Sequence, residues 1–114
     1  HPLGAPWVIR YLRRSEALLA ISHFEPTTCT IALPGLDSER NRLAYEVVWQ
    51  RLSASGIAHV YSWGQALPLE PAWVLRGFGL DTVERFRAAR RMFLGDFGQR
   101  MFSNDLVCAC GLSG

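Results

Sequence analysis

The residue types best suited to chemistry lie in the stretch Ser62-Trp63-Gly64-Gln65, between an apolar run and a loop that contains two prolines. Strand ends that lead into loops are common positions for binding residues. Gly64 lets the backbone approach a ligand closely, and the Gln65 amide offers a neutral hydrogen-bond donor beside it. We therefore predict that Trp63 packs in the core, with a substrate platform as the alternative, and that Gln65 either lines a binding site or caps the loop.

Arg10 is the second candidate, because it is the one charge inside a run of β-branched and aromatic residues, WVIRYL, at positions 7–12. A guanidinium in such a strand can stabilise an anion or polarise a substrate hydroxyl group. Glu16 and Glu25 are its candidate carboxylate partners. An ion-paired arginine on an edge strand is the alternative interpretation.

The histidine and cysteine pattern predicts no metal site. His59 shares a predicted strand face with two aromatic residues, so it either lines the candidate site or packs as a core histidine. Two of the three cysteines form a C-x-C pair, whereas metal sites usually show C-x2-C or histidine spacing. We expect reduced thiols in a cytoplasmic protein at Cys29, Cys108 and Cys110.

The composition is that of a globular domain. The chain has 114 residues, of which 49% are apolar and 19% charged, and its net charge is +2. No run approaches the roughly 18 consecutive apolar residues of a membrane-spanning helix. Every basic residue is an arginine, and one arginine cluster predicts a solvated helix face, with nucleic-acid binding as the alternative: Arg85, Arg87, Arg90 and Arg91.

Hydrophobic patterns predict three strands and two helices. The strands are 7–12, 27–33 and 57–63, because β-branched and aromatic residues dominate each run. One helix is predicted over 38–55, with polar residues at its start and a glycine after its end. A second helix is predicted over 81–94.

Local signals also predict how the second helix begins and ends. Asp81 and Glu84 have the spacing of a capping box, and Gly95 follows the last apolar position as a stop. The tail after Gly95 contains a short apolar segment that suits a strand, a helical turn or a docking arm.

The elements together predict the α+β class: a small, mostly antiparallel sheet with two amphipathic helices packed on one face, in a single domain over 1–114. Two helices cover one side of such a sheet and not both. We therefore expect an exposed apolar patch on the opposite face, the face that carries Arg10 and Trp63.

Four pieces of the sequence occur in an order that resembles a known family. They are the arginine-containing strand, TTCTIAL at 27–33, G-I-x-H-x-x-x-W-G-Q ending at Gln65, and RFRAARRMFLGDFGQRMFSNDL at 85–106. Together they resemble the C-terminal part of FAD-dependent aldonolactone and alditol oxidases, which are flavoproteins of the vanillyl-alcohol-oxidase type. Decaprenylphosphoryl-ribose oxidases have a similar end. The resemblance covers residues 7–107.

The tryptophan–glycine motif departs from this family at two positions. Ser62 and Gln65 stand where the family has a histidine and a lysine, so a general base and a fixed positive charge are both replaced. The resemblance implies catalytic roles for Arg10 and Gln65. It implies substrate- or cofactor-binding roles for a further four residues: Ser62, Trp63, Gly64 and His59.

The resemblance implies an FAD-linked oxidoreductase that acts on a sugar, polyol or lactone hydroxyl group. The pyrophosphate-binding region precedes this segment in the family and is absent from these 114 residues. We therefore expect a fragment that corresponds to the substrate-binding or cap part, inactive alone and completed by a flavin-binding polypeptide or a missing N-terminal domain, with an oligomer as an open question. The alternatives are a non-enzymatic α+β protein-interaction domain and an arginine-rich nucleic-acid-binding module.

Overall fold

A computed structural model describes residues 4–113, so the ends of the predicted 1–114 domain lie outside the described residues. The described part contains one two-stranded antiparallel sheet and four helices, which confirms the α+β class. The elements in chain order are β1 (Val8–Arg13), β2 (Thr27–Ala32), α1 (Glu39–Ser55), α2 (Pro71–Phe78), α3 (Leu80–Met101) and α4 (Asp105–Ala109).

The chain forms two compact units. The first comprises residues up to 15 together with 22–59, and it contains β1, β2 and α1. The second comprises 16–21 together with the residues from 60 onwards, and it contains α2, α3 and α4.

The sheet of the first unit has one exposed apolar face. β1 and β2 pair so that Ile9 lies opposite Ile31 and Tyr11 opposite Cys29, and alternate residues point to the same side. Ile9, Tyr11 and Ile31 are all exposed. Arg10 lies on the other face, and Trp63 belongs to no strand, so the prediction of an exposed apolar patch on the face that carries Arg10 and Trp63 is wrong.

Helix α1 forms where its local signals predict it. Ser38 is the N-cap, and its side chain accepts a hydrogen bond from the Asn41 N–H at 3.2 Å. Gly56 ends the helix in the left-handed conformation, with φ of 73°. The Tyr45 hydroxyl donates to the Leu33 carbonyl at 2.8 Å, which fixes the helix against the residue that follows β2.

The predicted third strand at 57–63 is wrong. The residues from 57 to 62 have no regular secondary structure, and residues 63 and 64 form a turn. A strand needs a hydrogen-bonded neighbour, and within the described residues both observed strands pair only with each other. The alternating aromatic residues that favoured a strand pack instead into the core of the second unit.

The sequence predicts no helix over residues 71–78, because Pro68 and Gly79 flank the segment and Pro71 and Gly77 lie within it, yet helix α2 forms there. Pro71 occupies the first turn, where a missing N–H costs nothing. Trp73, Val74 and Phe78 are buried on its inner side. Burial of these three side chains outweighs the weak helix propensity of the segment.

Gly79 makes the corner between α2 and α3. Its φ of 85° and ψ of 153° belong to a region that only glycine adopts readily. The helix therefore begins at Leu80 with Gly79 as its N-cap and no side-chain cap, and the predicted capping box is wrong. The Glu84 carboxylate bonds the Arg87 guanidinium instead.

Helix α3 continues beyond its predicted stop, but with a bend at the predicted position. Gly95 has φ of 62° and ψ of −178°, which are not helical values, and helical residues resume as far as Met101. The Arg90 guanidinium donates to the Phe102 carbonyl at 2.9 Å. A straight helix would place residue 102 roughly 18 Å further along its axis, so the chain turns sharply at Gly95.

Two arginines of the predicted solvated cluster hold the chain that follows this bend. Arg90 donates to the Ser103 hydroxyl at 2.9 Å in addition to Phe102, and Arg87 Nε donates to the Gly111 carbonyl at 2.7 Å. Both are half-buried, whereas Arg85 and Arg91 are exposed. Arg85 and Arg91 are therefore the solvated part of the cluster, whereas Arg87 and Arg90 form internal hydrogen bonds.

The buried apolar core within the described residues belongs to the second unit. It is formed by eight residues: Leu19, Leu67, Trp73, Val74, Phe78, Val83, Cys110 and Leu112. Trp63 and Tyr61 are half-buried and pack against it. Helices α2 and α3 pack on each other through this core.

We expect Gly79→Ala to lower the free energy of unfolding by about 1–3 kcal/mol, because a Cβ is strained at this φ and ψ. Gly64→Ala is the matched control: its φ is not positive and a Cβ there meets open space, so we expect little change. Urea unfolding followed by circular dichroism measures both. Equal losses in the two variants would contradict the proposed corner geometry.

Candidate functional site

The stretch Ser62–Gln65 is a hydrogen-bonded turn. The Gln65 N–H donates to the Ser62 carbonyl at 3.3 Å, which closes the turn over four residues. Ser62 is half-buried, whereas Gly64 and Gln65 are exposed. The backbone therefore reverses at the predicted place, although no strand leads into it.

Trp63 is fixed in the core. Its indole N–H donates to the Leu19 carbonyl at 2.8 Å. Its ring lies 6.1 Å from the Phe78 ring at an interplanar angle of 16°, and 4.9 Å from the Trp73 ring at 40°. Both the polar and the apolar parts of Trp63 are thus used internally, which supports the core position predicted for this residue.

Trp63 anchors the turn and leaves the side chain of Gln65 on the surface. Tyr61, two residues before the anchor, packs edge-on against Trp73 with ring centroids 5.1 Å apart. We call Tyr61, Trp63, Trp73 and Phe78 the aromatic cluster. A turn held by this cluster presents the Gln65 amide to solvent from a rigid support.

Leu19 has a backbone conformation that is unusual for a leucine. Its φ is 59°, in the left-handed region, where a side chain of this size costs about 1–2 kcal/mol. Its side chain is nonetheless buried in the core, and its carbonyl accepts the Trp63 bond. These contacts offset the backbone cost and hold residues 16–21 in the second unit.

Arg10 is exposed in β1, and among the described residues no carboxylate forms an ion pair with it. Glu25, one of its two candidate partners, bonds the Arg14 guanidinium at 2.8 Å. The Arg10 carbonyl accepts a hydrogen bond from the Thr30 hydroxyl at 3.4 Å. The Arg10 guanidinium is therefore accessible to a ligand.

His59 is half-buried and is held against its own backbone. Nδ1 lies 2.6 Å from the Ile57 carbonyl oxygen, and because a carbonyl only accepts, Nδ1 must carry the proton. This local bond fixes the tautomer and orients the ring. Such a bond suits a structural histidine as well as a ligand-binding one.

The six candidate residues are divided between the two units. Ser62, Trp63, Gly64 and Gln65 are consecutive in the second unit, whereas Arg10 and His59 belong to the first. Only the turn is therefore a site whose geometry the structure establishes.

The helix N-termini do not fit the pyrophosphate of FAD. An N-terminus binds phosphate through free N–H groups and its positive dipole end, and a carboxylate there repels the ligand. All four helices carry an acidic residue at the N-cap or in the first turn: Glu39, Glu70, Asp81 and Asp105. The four helix N-termini within residues 4–113 are therefore unfavourable for a pyrophosphate.

The two cysteines of the C-x-C pair differ in how far they are buried. Cys108 and Cys110 lie in and directly after α4, where Cys108 is exposed and Cys110 is buried. The Cys110 thiol lies 3.9 Å from the Pro68 carbonyl, and burial raises its pKa. In the described part of the chain no group of three potential ligands could hold a metal ion, and no helix is long and apolar enough to cross a membrane.

Asn104 is expected from its residue type to bond the backbone near the C-terminal turn. Its side chain accepts the Val107 N–H at 2.9 Å and caps α4. The internal roles of Arg87 and Arg90 are not predicted from the sequence, although the glycine between them and the tail is a usable signal. A glycine stop followed by further apolar sequence indicates a chain that turns back, and arginines one turn apart can then bond its carbonyls.

Comparison with protein-family models, with curated proteins and with solved structures gives no match for this chain. The resemblance to flavin-dependent oxidases therefore depends on the motif residues alone. The roles that it implies for Arg10 and Gln65 stay predictions.

We expect Trp63→Phe to lower the free energy of unfolding by about 1–3 kcal/mol, because the Leu19 carbonyl loses its donor. Trp63→Ala should cost about 3–5 kcal/mol, since the aromatic packing is lost as well. Tyr11→Phe, at an exposed aromatic residue of β1, is the control and should be neutral. If Trp63→Phe unfolds at the same denaturant concentration as the parent, the anchoring role is wrong.

We also expect the protein to lose stability at alkaline pH through Tyr61. Burial raises the pKa of its hydroxyl above the ordinary value of 10.0, with Arg76 opposing the shift in part. As pH rises, the Tyr61 hydroxyl loses its proton in the unfolded chain before it does so in the folded protein. The contribution of Tyr61 to stability is therefore complete below the ordinary pKa and declines as pH rises through the folded pKa. In this pH range the free energy of unfolding of the Tyr61→Phe variant should decline less steeply with pH than that of the parent. Tyr11→Phe is the control and should leave the Tyr61 contribution intact.

Proposed function

We propose that this chain is the part of an FAD-linked oxidoreductase that covers the flavin ring and shapes the pocket for a sugar, polyol or lactone hydroxyl group. The observation that carries the proposal is the turn anchored by Trp63, which presents Gly64 and Gln65 on the surface. This turn occupies the position of the family's tryptophan–glycine motif.

FAD itself would be held mainly by another polypeptide or by an N-terminal region of the same protein. The acidic residues at all four helix N-termini support this division, because they oppose binding of a pyrophosphate. The chain alone is therefore proposed to be inactive.

Gln65 would approach the flavin ring as a neutral hydrogen-bond donor. It would orient the ring without supplying the fixed positive charge that a lysine gives. Arg10, an exposed cation of β1, is proposed on the resemblance alone as a group that binds an anionic flavin or a substrate hydroxyl.

A second candidate is a protein-interaction domain without a flavin. The exposed apolar face of the β1–β2 sheet, with Ile9, Tyr11 and Ile31, favours it. The nucleic-acid alternative has less support, because Arg87 and Arg90 donate to backbone carbonyls of their own unit.

We expect residues 1–114 to bind FAD only weakly, with a dissociation constant above the submicromolar range when flavin fluorescence is followed. In amide spectra the weak contact should shift the Gly64 and Gln65 signals. Gln65→Lys should strengthen this contact several-fold by adding a cation beside an anionic ligand. Gln50→Lys, at an exposed glutamine of α1, is the control for the added charge and should have no local effect.

The outcomes separate the two candidate functions. Shifts confined to the turn and enhanced by Gln65→Lys support the flavin proposal. Submicromolar binding by the chain alone would contradict the division between two polypeptides. An absence of shifts at the turn, or equal enhancement by Gln50→Lys, would contradict the flavin role and favour the interaction domain.

A further inference from the structure

Five large apolar side chains protrude around the bend in α3. They lie within eleven consecutive residues and are between 63% and 89% exposed: Met92, Phe93, Phe97, Met101 and Phe102. We call them the bend surface. Scattered exposed apolar residues are common, but this number in so short a segment marks an interaction surface.

The bend keeps these side chains close together. Gly95 interrupts the helix between Phe93 and Phe97. The Arg90 bond to the Phe102 carbonyl brings the end of the segment back beside the turn that carries Met92 and Phe93. The members of the bend surface thus lie on both sides of one corner in the chain.

Exposed arginines accompany the bend surface. Arg85 precedes Met92 by seven residues, which places both on the same helix face. Arg100 lies between Phe97 and Met101 in sequence and is also exposed. Three exposed arginines lie between residues 85 and 104 with one exposed acidic residue, Asp96, so the exposed charge around the bend surface is positive: Arg85, Arg91 and Arg100. Arg87 and Arg90 are instead bonded within the unit.

The charge disfavours a second copy of this chain as the occupant. A two-fold contact places the same patch on both partners, so the arginines of the two copies would approach each other. A fluid lipid interface accepts exposed apolar side chains without a preformed cavity, and basic residues beside them attract anionic head groups.

We propose that the bend surface binds the surface of an anionic lipid bilayer. Phe93 and Phe97 enter the boundary between head groups and acyl chains, and Arg85 and Arg100 contact the negative head groups. This is attachment to one leaflet and not a membrane span. It is independent of the flavin proposal, and its test has no flavin readout.

The test is co-sedimentation of the full chain with vesicles. We expect binding to vesicles that contain phosphatidylserine, and much weaker binding to vesicles of phosphatidylcholine alone. Arg85→Gln and Arg100→Gln should each weaken binding about fivefold, since one basic residue near such a surface contributes about 1 kcal/mol. Added salt should weaken binding of the parent more than that of either variant.

Substitution of the apolar residues of the bend surface should weaken their insertion into the lipid boundary. Phe93→Ser and Phe97→Ser should each reduce binding about tenfold or more, because each withdraws an aromatic ring from the lipid boundary. Two controls lie in the first unit: Leu36→Ser removes a side chain that is 84% exposed, and Arg51→Gln removes an exposed charge of α1. Both should bind like the parent. Since all these positions are exposed, unchanged circular dichroism is expected throughout.

Four outcomes would overturn the proposal. They are an absence of sedimentation with phosphatidylserine vesicles, equal binding to neutral vesicles, equal loss in the Leu36 and Arg51 controls, and a dimer in light scattering that Phe93→Ser abolishes. The last would assign the bend surface to a second copy of the chain.

Discussion

Two indoles packed side by side, Trp73 buried and Trp63 half-buried, hold the second unit together. Trp63 and Trp73 lie with ring centroids 4.9 Å apart, and each must satisfy a polar N–H in an apolar environment. Trp63 donates to the Leu19 carbonyl, and Trp73 donates to the Pro68 carbonyl at 2.8 Å. The backbone is shaped to supply these acceptors, and the left-handed conformation of Leu19 is part of that shape.

Arginine takes a similar internal role elsewhere in this unit. Arg87 and Arg90 lie one turn apart on α3, and each donates to a carbonyl of the returning chain. Their fork of N–H groups suits this task, because one guanidinium can bond two acceptors at once. The tail is thereby held along α3, and the apolar side chains at the bend remain outside the core.

These two sets of contacts decide which residues are accessible for function. The indole that a flavin site could have used as a stacking platform is committed to the aromatic cluster, whereas the next two residues are exposed. Half of the arginine cluster is likewise committed to the fold. What remains on the surface of the second unit is a turn with an amide, an apolar bend and exposed arginines.

Elements with local signals could be predicted from the sequence. Helix α1 has a Ser38 cap and a Gly56 stop within its own sequence, and β1 and β2 are rich in residues that favour strands. The turn at 62–65 and the break at Gly95 also follow from local chemistry, because glycine tolerates backbone angles that other residues avoid.

The elements that depend on distant partners could not be predicted in this way. Residues 57–63 alternate like a strand, but within the described chain no neighbour pairs with them, and the core takes their aromatic rings. Helix α2 forms in a segment of poor propensity because Trp73 and Val74 become almost fully buried. The sequence by itself determined the residue types at the candidate turn. Only tertiary packing decided that Trp63 faces inward and Gln65 outward, because an aromatic ring gains more free energy from burial than any local preference of the chain supplies.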